Sequence, residues 1–158
     1  MAPDPDPTPP PRRRILAVAS GGGHWVQLLR LRPAFAGCTV RYATTDHGFA
    51  RDVGEDILWV PDANMDNKLG LLRMAWRMLV LVVWLHPHVI ITTGAAPGYF
   101  AIMWGRLLGR RTIWVDSVAN AEELSKSGRQ AGRWADAWLT QWPQLARPEG
   151  PACWGNVL

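Results

Sequence analysis

Apolar residues along the chain fall into two patterns. Short runs rich in β-branched side chains, at Ile15 to Ala19, Thr39 to Ala43, Ile57 to Val60, Val89 to Thr92, Thr112 to Val115 and Ala137 to Thr140, predict buried strands. Longer stretches between them predict helices over Trp25 to Phe35, Gly48 to Val53, Asn67 to Leu85, Gly98 to Leu108 and Arg129 to Asp136. Strand followed by helix, repeated along the chain, predicts an α/β fold. With right-handed crossovers it becomes an open, doubly wound, Rossmann-like parallel sheet. Such sheets bind ligands beyond the carboxyl ends of their strands. That rule directs attention to SGGGHW after the first strand, TTDHG after the second, TTGAAPG after the fourth and DSVAN after the fifth.

Composition changes the picture at the ends and at the surface. From Met1 to Pro11, Pro alternates with Asp and Thr, which favours extended, solvated chain, so residues 1–13 are expected as a disordered tail. Residues 14–142 form the expected domain, and residues 143–158 a Pro- and Gly-rich tail. A chain of 158 residues is about one domain long. At that length roughly two thirds of the unfolded surface is buried without help from disulfides or metal. Ten tryptophans and only 19% charged residues predict a surface that meets lipid or another chain. The net charge of +4 suits a phosphorylated substrate, anionic lipid or nucleic acid, but no long basic run or RNA-binding signature accompanies it. Cys38 and Cys153 lie far apart without ligand partners at zinc spacing, which disfavours a disulfide framework or a structural zinc site and fits a reducing cytoplasm. RRRILAVAS imitates a secretory signal, yet its apolar run is short of the roughly 7–15 residues a signal needs. It reads as a buried strand.

Two loops carry the candidate chemistry. Ser20, Gly21, Gly22 and Gly23 join a strand to a helix, and three bare glycines let backbone amides approach a ligand. The helix N-terminus adds roughly half a positive charge, so a phosphate or diphosphate is the expected guest; the alternative is a tight turn with no ligand. The spacing is not G-x-G-x-x-G and no acidic residue ends the second strand, which disfavours NAD. Thr93, Gly94, Ala95 and Gly98 form a second such loop, with Pro97 suited to a first helical turn.

The run SGGGHWVQLLRL, the TTGAAPG loop, RRTIWVDSVANAEELSKSGR and LTQWPQL, in this order, resemble the oligosaccharide-biosynthesis glycosyltransferase family over Ile15 to Leu158. That family includes the membrane-side subunit of the dolichol-linked N-acetylglucosaminyltransferase and bacterial exopolysaccharide glucuronosyltransferase subunits. The two glycine loops are more distantly similar to the N-terminal domain of MurG. The resemblance implies the N-terminal half of a GT-B glycosyltransferase split over two chains. It also implies a UDP-sugar donor held mainly by a separate GT-B C-terminal-type subunit, a lipid-linked saccharide acceptor, and neither cofactor nor metal. No nucleic acid beyond the nucleotide sugar is expected. Two departures are expected: Asp116 occupies a position where relatives are expected to carry Glu, and no counterpart of the eukaryotic subunit's N-terminal membrane helix is expected.

His24, directly after the glycines, is placed to take a proton from an acceptor hydroxyl as that hydroxyl attacks the anomeric carbon and expels UDP with inversion. Capping the helix or contacting phosphate is its plainer role. Asp116 ends the fifth strand on the same rim, where it would orient the imidazole, contact the acceptor or simply cap a helix. Asp46 and His47 share that rim. His86-Pro87-His88 lacks the further ligands of a metal site.

The stretch LGLLRMAWRMLVLVVWL, Leu69 to Leu85, is interrupted by Arg73 and Arg77 and falls short of the about 20 apolar residues of a spanning helix. It is expected to lie on the cytoplasmic membrane surface through Arg73, Trp76 and Arg77, to pack on the sheet as a crossover, or to do both on different faces. Trp142 and Trp154 mark the C-terminal tail as a docking surface for the partner, with a packed tail as the alternative. Two rival functions remain in view: a noncatalytic membrane recruiter of the catalytic chain, and a stand-alone Rossmann-like nucleotide-binding enzyme.

Overall fold

A computed structural model describes residues 12–54, 57–63 and 66–157. The expected disordered tail lies almost wholly outside the described residues. Seven strands form one all-parallel sheet in the order β3-β2-β1-β4-β5-β6-β7. They are β1 (Arg14–Val18), β2 (Thr39–Thr44), β3 (Leu58–Trp59), β4 (Val89–Thr92), β5 (Arg111–Val115), β6 (Ala137–Thr140) and β7 (Ala152–Cys153). The helices are α1 (Gly23–Arg30), α2 (Ala50–Val53), α3 (Lys68–Leu85), α4 (Ala95–Leu107) and α5 (Lys126–Ala131).

Alternation along β1 builds both halves of the core. Leu16 and Val18 face a layer made by Met74, Met78, Leu81 and Val82 of α3 together with Ala101 and Ile102 of α4. Ile15, Ala17 and Ala19 face Trp25 and Leu28 of α1, with Phe35 and Tyr42. Val18 is level with Ala43 on one side and with Thr92 on the other, so the carboxyl ends of β1, β2 and β4 lie at one edge. The strand order turns back on itself between β1 and β4. A crevice opens at that point, because the connections after β1 and β4 leave toward opposite faces.

Several expected boundaries move, each for a local reason. Helix α1 starts at Gly23 and stops at Arg30, and Pro33 turns the remainder, Arg32–Phe35, into a single 3-10 turn. Helix α4 starts at Ala95, three residues before the expected Gly98. Helix α5 runs over Lys126–Ala131 instead of Arg129 to Asp136, because the Ser125 hydroxyl accepts the Gly128 amide at 2.8 Å and fixes an earlier start. Within the expected C-terminal segment, β7 pairs with β6 and extends the sheet by one strand.

Candidate functional site

The two glycine turns meet. Gly22, with φ of 64°, precedes α1, and Gly94, with φ of 132°, precedes α4; neither helix has a side chain capping its first amides. Two positive helix ends therefore face the crevice between β1 and β4. The Thr93 hydroxyl donates to the carbonyl of His24 at 2.7 Å and fastens one turn to the other. The Cδ2–Nε2 edge of the His24 imidazole faces Gly94: a methyl group there would come within 2.7 Å of Cδ2 and 2.9 Å of Nε2. Ala95 is held at φ of 65°, a strained value for a residue with a side chain, at the wall of the cleft.

That cleft, of about 640 Å³, is lined by Ser20, Gly21, Thr45, Asp46, His47, Asp62 and Ala95. His24 is half-buried beside it, in the first turn of α1 and not in the loop before it. Its Nδ1 lies 3.2 Å from Ser20 Oγ, and Nε2 has no hydrogen-bond partner among the described residues. Burial pushes its pKa below the ordinary 6.5, with the negative charge of Asp116 partly opposing. At neutral pH the ring is uncharged and able to accept a proton.

Asp116 sits behind the site. It is 1% exposed and receives hydrogen bonds from Trp114 Nε1 at 3.1 Å, Asn120 Nδ2 at 3.3 Å, the Ser125 amide at 3.0 Å and the Ser125 hydroxyl at 2.6 Å. Its carboxylate is occupied by the loop into α5, and it reaches His24 through its electric field. Gly98 also differs from expectation. It is buried one turn inside α4, where a side chain would collide with Thr92, so it lets α4 lie directly on β4. The Gly94 amide is taken by Thr92 Oγ1 at 3.1 Å.

Ser20, Gly21, Gly22, Gly23, His24, Thr93, Gly94 and Ala95 are thus brought together. The other candidates lie elsewhere. Trp76 is 66% exposed on α3, in an outward apolar stripe with Leu72, Val83 and Trp84, opposite the buried face of the helix. Arg73 is exposed beside that stripe, whereas Arg77 donates to the Trp59 carbonyl at 3.2 Å. Among the described residues no helix is long and apolar enough to cross a membrane. Trp142 is half-buried and donates to the Val118 carbonyl at 2.8 Å, so it holds this chain's own loop; Trp154 is 75% exposed. His88 accepts the Arg14 amide at 3.0 Å at the opposite edge of the sheet.

Asp62, just past β3, is the cleft residue that sequence reasoning passed over, although the rule of strand carboxyl ends covers it. Trp59, stacked on His47 with centroids 5.4 Å apart and planes within 10°, was passed over as well.

Fold and site together define a Rossmann-like domain of the kind found in GT-B glycosyltransferases, open at its topological switch point. The solved structure of Acinetobacter baumannii MurG shares this fold with a TM-score of 0.70 at 16% identity, over 90% of this chain and 44% of that one. The chain thus spans less than half of MurG. In sequence it is 28% identical to the UDP-N-acetylglucosamine transferase subunit ALG14 of Eremothecium gossypii, over 92% of this chain and 80% of the relative. It is 35% identical to the subunit of the same name from Yarrowia lipolytica over 46% of this chain and 36% of that one. No family model matches the chain. The resemblance to oligosaccharide-biosynthesis glycosyltransferase subunits is borne out by these relatives.

Proposed function

We propose that this chain is the acceptor-side, membrane-associated subunit of a bipartite UDP-sugar glycosyltransferase that extends a lipid-linked saccharide. The observation that carries this reading is the meeting of two uncapped helix ends, with the His24 imidazole packed between them, next to one cleft. The helix ends suit the diphosphate of the acceptor or donor. His24 serves as general base, drawing the proton from the acceptor hydroxyl as that hydroxyl attacks the anomeric carbon, so that UDP leaves with inversion. The donor is bound mainly by a separate GT-B C-terminal-type chain, for which Trp154 is an exposed contact. The outward stripe of α3, with Arg73 at its side, rests on the cytoplasmic membrane face.

Substitution His24→Ala tests the chemistry. Membranes from a native-host deletion strain, restored with either form, are supplied with radiolabelled UDP-sugars, UDP-N-acetylglucosamine first. Wild-type protein transfers label into extracted lipid. His24→Ala should lose at least about 100-fold of that transfer, the low end of what a positioned base contributes, at an unchanged level of folded chain. The occupied carboxylate of Asp116 favours a second reading, in which the chain only recruits a catalytic partner; near-normal transfer by His24→Ala would remove His24 from the mechanism and favour that reading.

A further inference from the structure

Two glutamines that the cleft does not use are almost fully buried, Gln27 at 5% exposure and Gln141 at 2%. Gln27 stands on α1 nearly one turn after His24, and Gln141 follows β6. Backbone donors fix how both amides are turned. The Val118 amide meets the Gln27 side chain at 2.9 Å, and the Val157 amide meets that of Gln141 at 3.0 Å. A backbone N–H only donates, so both atoms it faces are oxygens. The opposite ends must then donate. The Gln141 amide group reaches Gln27 Oε1 at 2.8 Å and the Asp116 carbonyl at 2.9 Å. The Gln27 amide group reaches Ser117 Oγ at 3.0 Å and the carbonyl of Gly23 at 3.2 Å. The hydrogen bonds therefore run in one direction, from Val157 through Gln141 and Gln27 to the third glycine of the turn. Arg30, at the end of α1, closes the circuit by donating to the Val157 carbonyl at 2.6 Å.

We propose that Gln27 and Gln141 are positioning residues that relay the placement of residues 154–157 to Gly23, which opens α1 directly before His24. Every polar atom along this path is satisfied inside the fold, and such chains strengthen one another where water is excluded. The far end presents an exposed handle. Trp154 is exposed, and a gap of about 200 Å³ separates the segment from Leu31, Val115 and Leu139. Whatever grips Trp154 is thereby felt at the phosphate turn. Use of the relay in sugar transfer rests on the function proposed above, whereas the mechanical coupling does not.

The test keeps the full chain. Val157→Pro removes the N–H at the start of the relay, remote from the cleft, and Val157→Ala keeps it. Amide resonances of Gly22, Gly23 and His24 are followed by NMR, together with affinity for inorganic pyrophosphate. Val157→Pro should move those resonances and weaken pyrophosphate about fivefold, as expected for one lost hydrogen bond, while Val157→Ala leaves both unchanged. In a Gln27→Leu background the proline should add nothing; if that background does not fold, Gln141→Leu serves in its place. Unmoved resonances in a native-like Val157→Pro chain would overturn the relay. Absence of pyrophosphate binding by the wild-type chain would instead count against the phosphate reading, and the resonances would still judge the coupling.

Discussion

Gly94→Ala tests whether the second turn matters through His24. Two costs arise together. The residue sits at φ of 132°, where a side chain is strained by roughly 1–3 kcal/mol. The new methyl would also lie 2.7 Å and 2.9 Å from imidazole atoms, against an optimal carbon contact of about 3.5–4.0 Å. The ring must withdraw by about 1 Å, and a misplacement of that size can cost ~100-fold in rate. Gly109→Ala separates the two effects. Its φ is 70°, yet an added methyl there meets nothing within 4 Å, so only the backbone term of about 1–2 kcal/mol applies. Both variants should melt lower, by roughly 2–4 °C for each kcal/mol in a chain of this size. Label transferred from UDP-sugar to lipid, divided by the amount of folded chain, should fall about 100-fold for Gly94→Ala only. Equal transfer by the two variants would refute the claim that Gly94 acts by seating the imidazole.

Two further outcomes follow from the same geometry. The acid limb of the transfer rate should have its midpoint below pH 6.5, and Asp116→Asn, which removes the charge that favours the imidazolium, should move it lower still. Because the folded pKa is depressed, the unfolded chain binds more protons between the folded value and 6.5. Stability contributed at His24 is then intact above pH 6.5 and lost as pH falls toward the folded value, a segment of the pH–stability curve that His24→Ala should erase. On α3, replacing Arg73 by Glu should reduce flotation with anionic vesicles roughly fivefold, from a loss of at least about 1 kcal/mol; undiminished flotation would remove the helix from membrane attachment.

The parallel sheet was legible because short apolar runs rich in β-branched residues alternate with longer helical patterns from Ile15 onward, and only local chemistry blurred their ends. Gly23 and Ala95 open helices although neither is a residue type that signals a start, since the preceding turns need glycine more than the helices need a cap. The two-residue strand β7 is too short for a periodic signal and hides among Pro and Gly. Asp116 shows a deeper limit. A carboxylate at a strand end reads the same whether its oxygens face a cleft or a buried loop, and here Ser125, nine residues on, decides. Gln27 gives a partial signal as a polar residue among the buried positions of α1. Its partners Ser117 and Gln141 lie 90 and 114 residues away, beyond any local pattern.

What the crevice offers by itself explains why a second wall matters to the proposed reaction. Gly22 and Gly23 are exposed, so a phosphate at the end of α1 keeps much of its water, and a helix end in that setting contributes only about 0.3–1 kcal/mol. The same dipole is worth up to ~2 kcal/mol when partly buried. Closing the cleft over the Asp46–His47 loop and Asp62 would expel that water and strengthen both helix ends at once. The lost water would also deepen the burial that holds the imidazole neutral, while the charge of a bound diphosphate would oppose it. For the proposed reaction a division of labour would follow: this half would prepare a base and two weak anion sites, and a partner that covers them would convert the weak sites into strong ones.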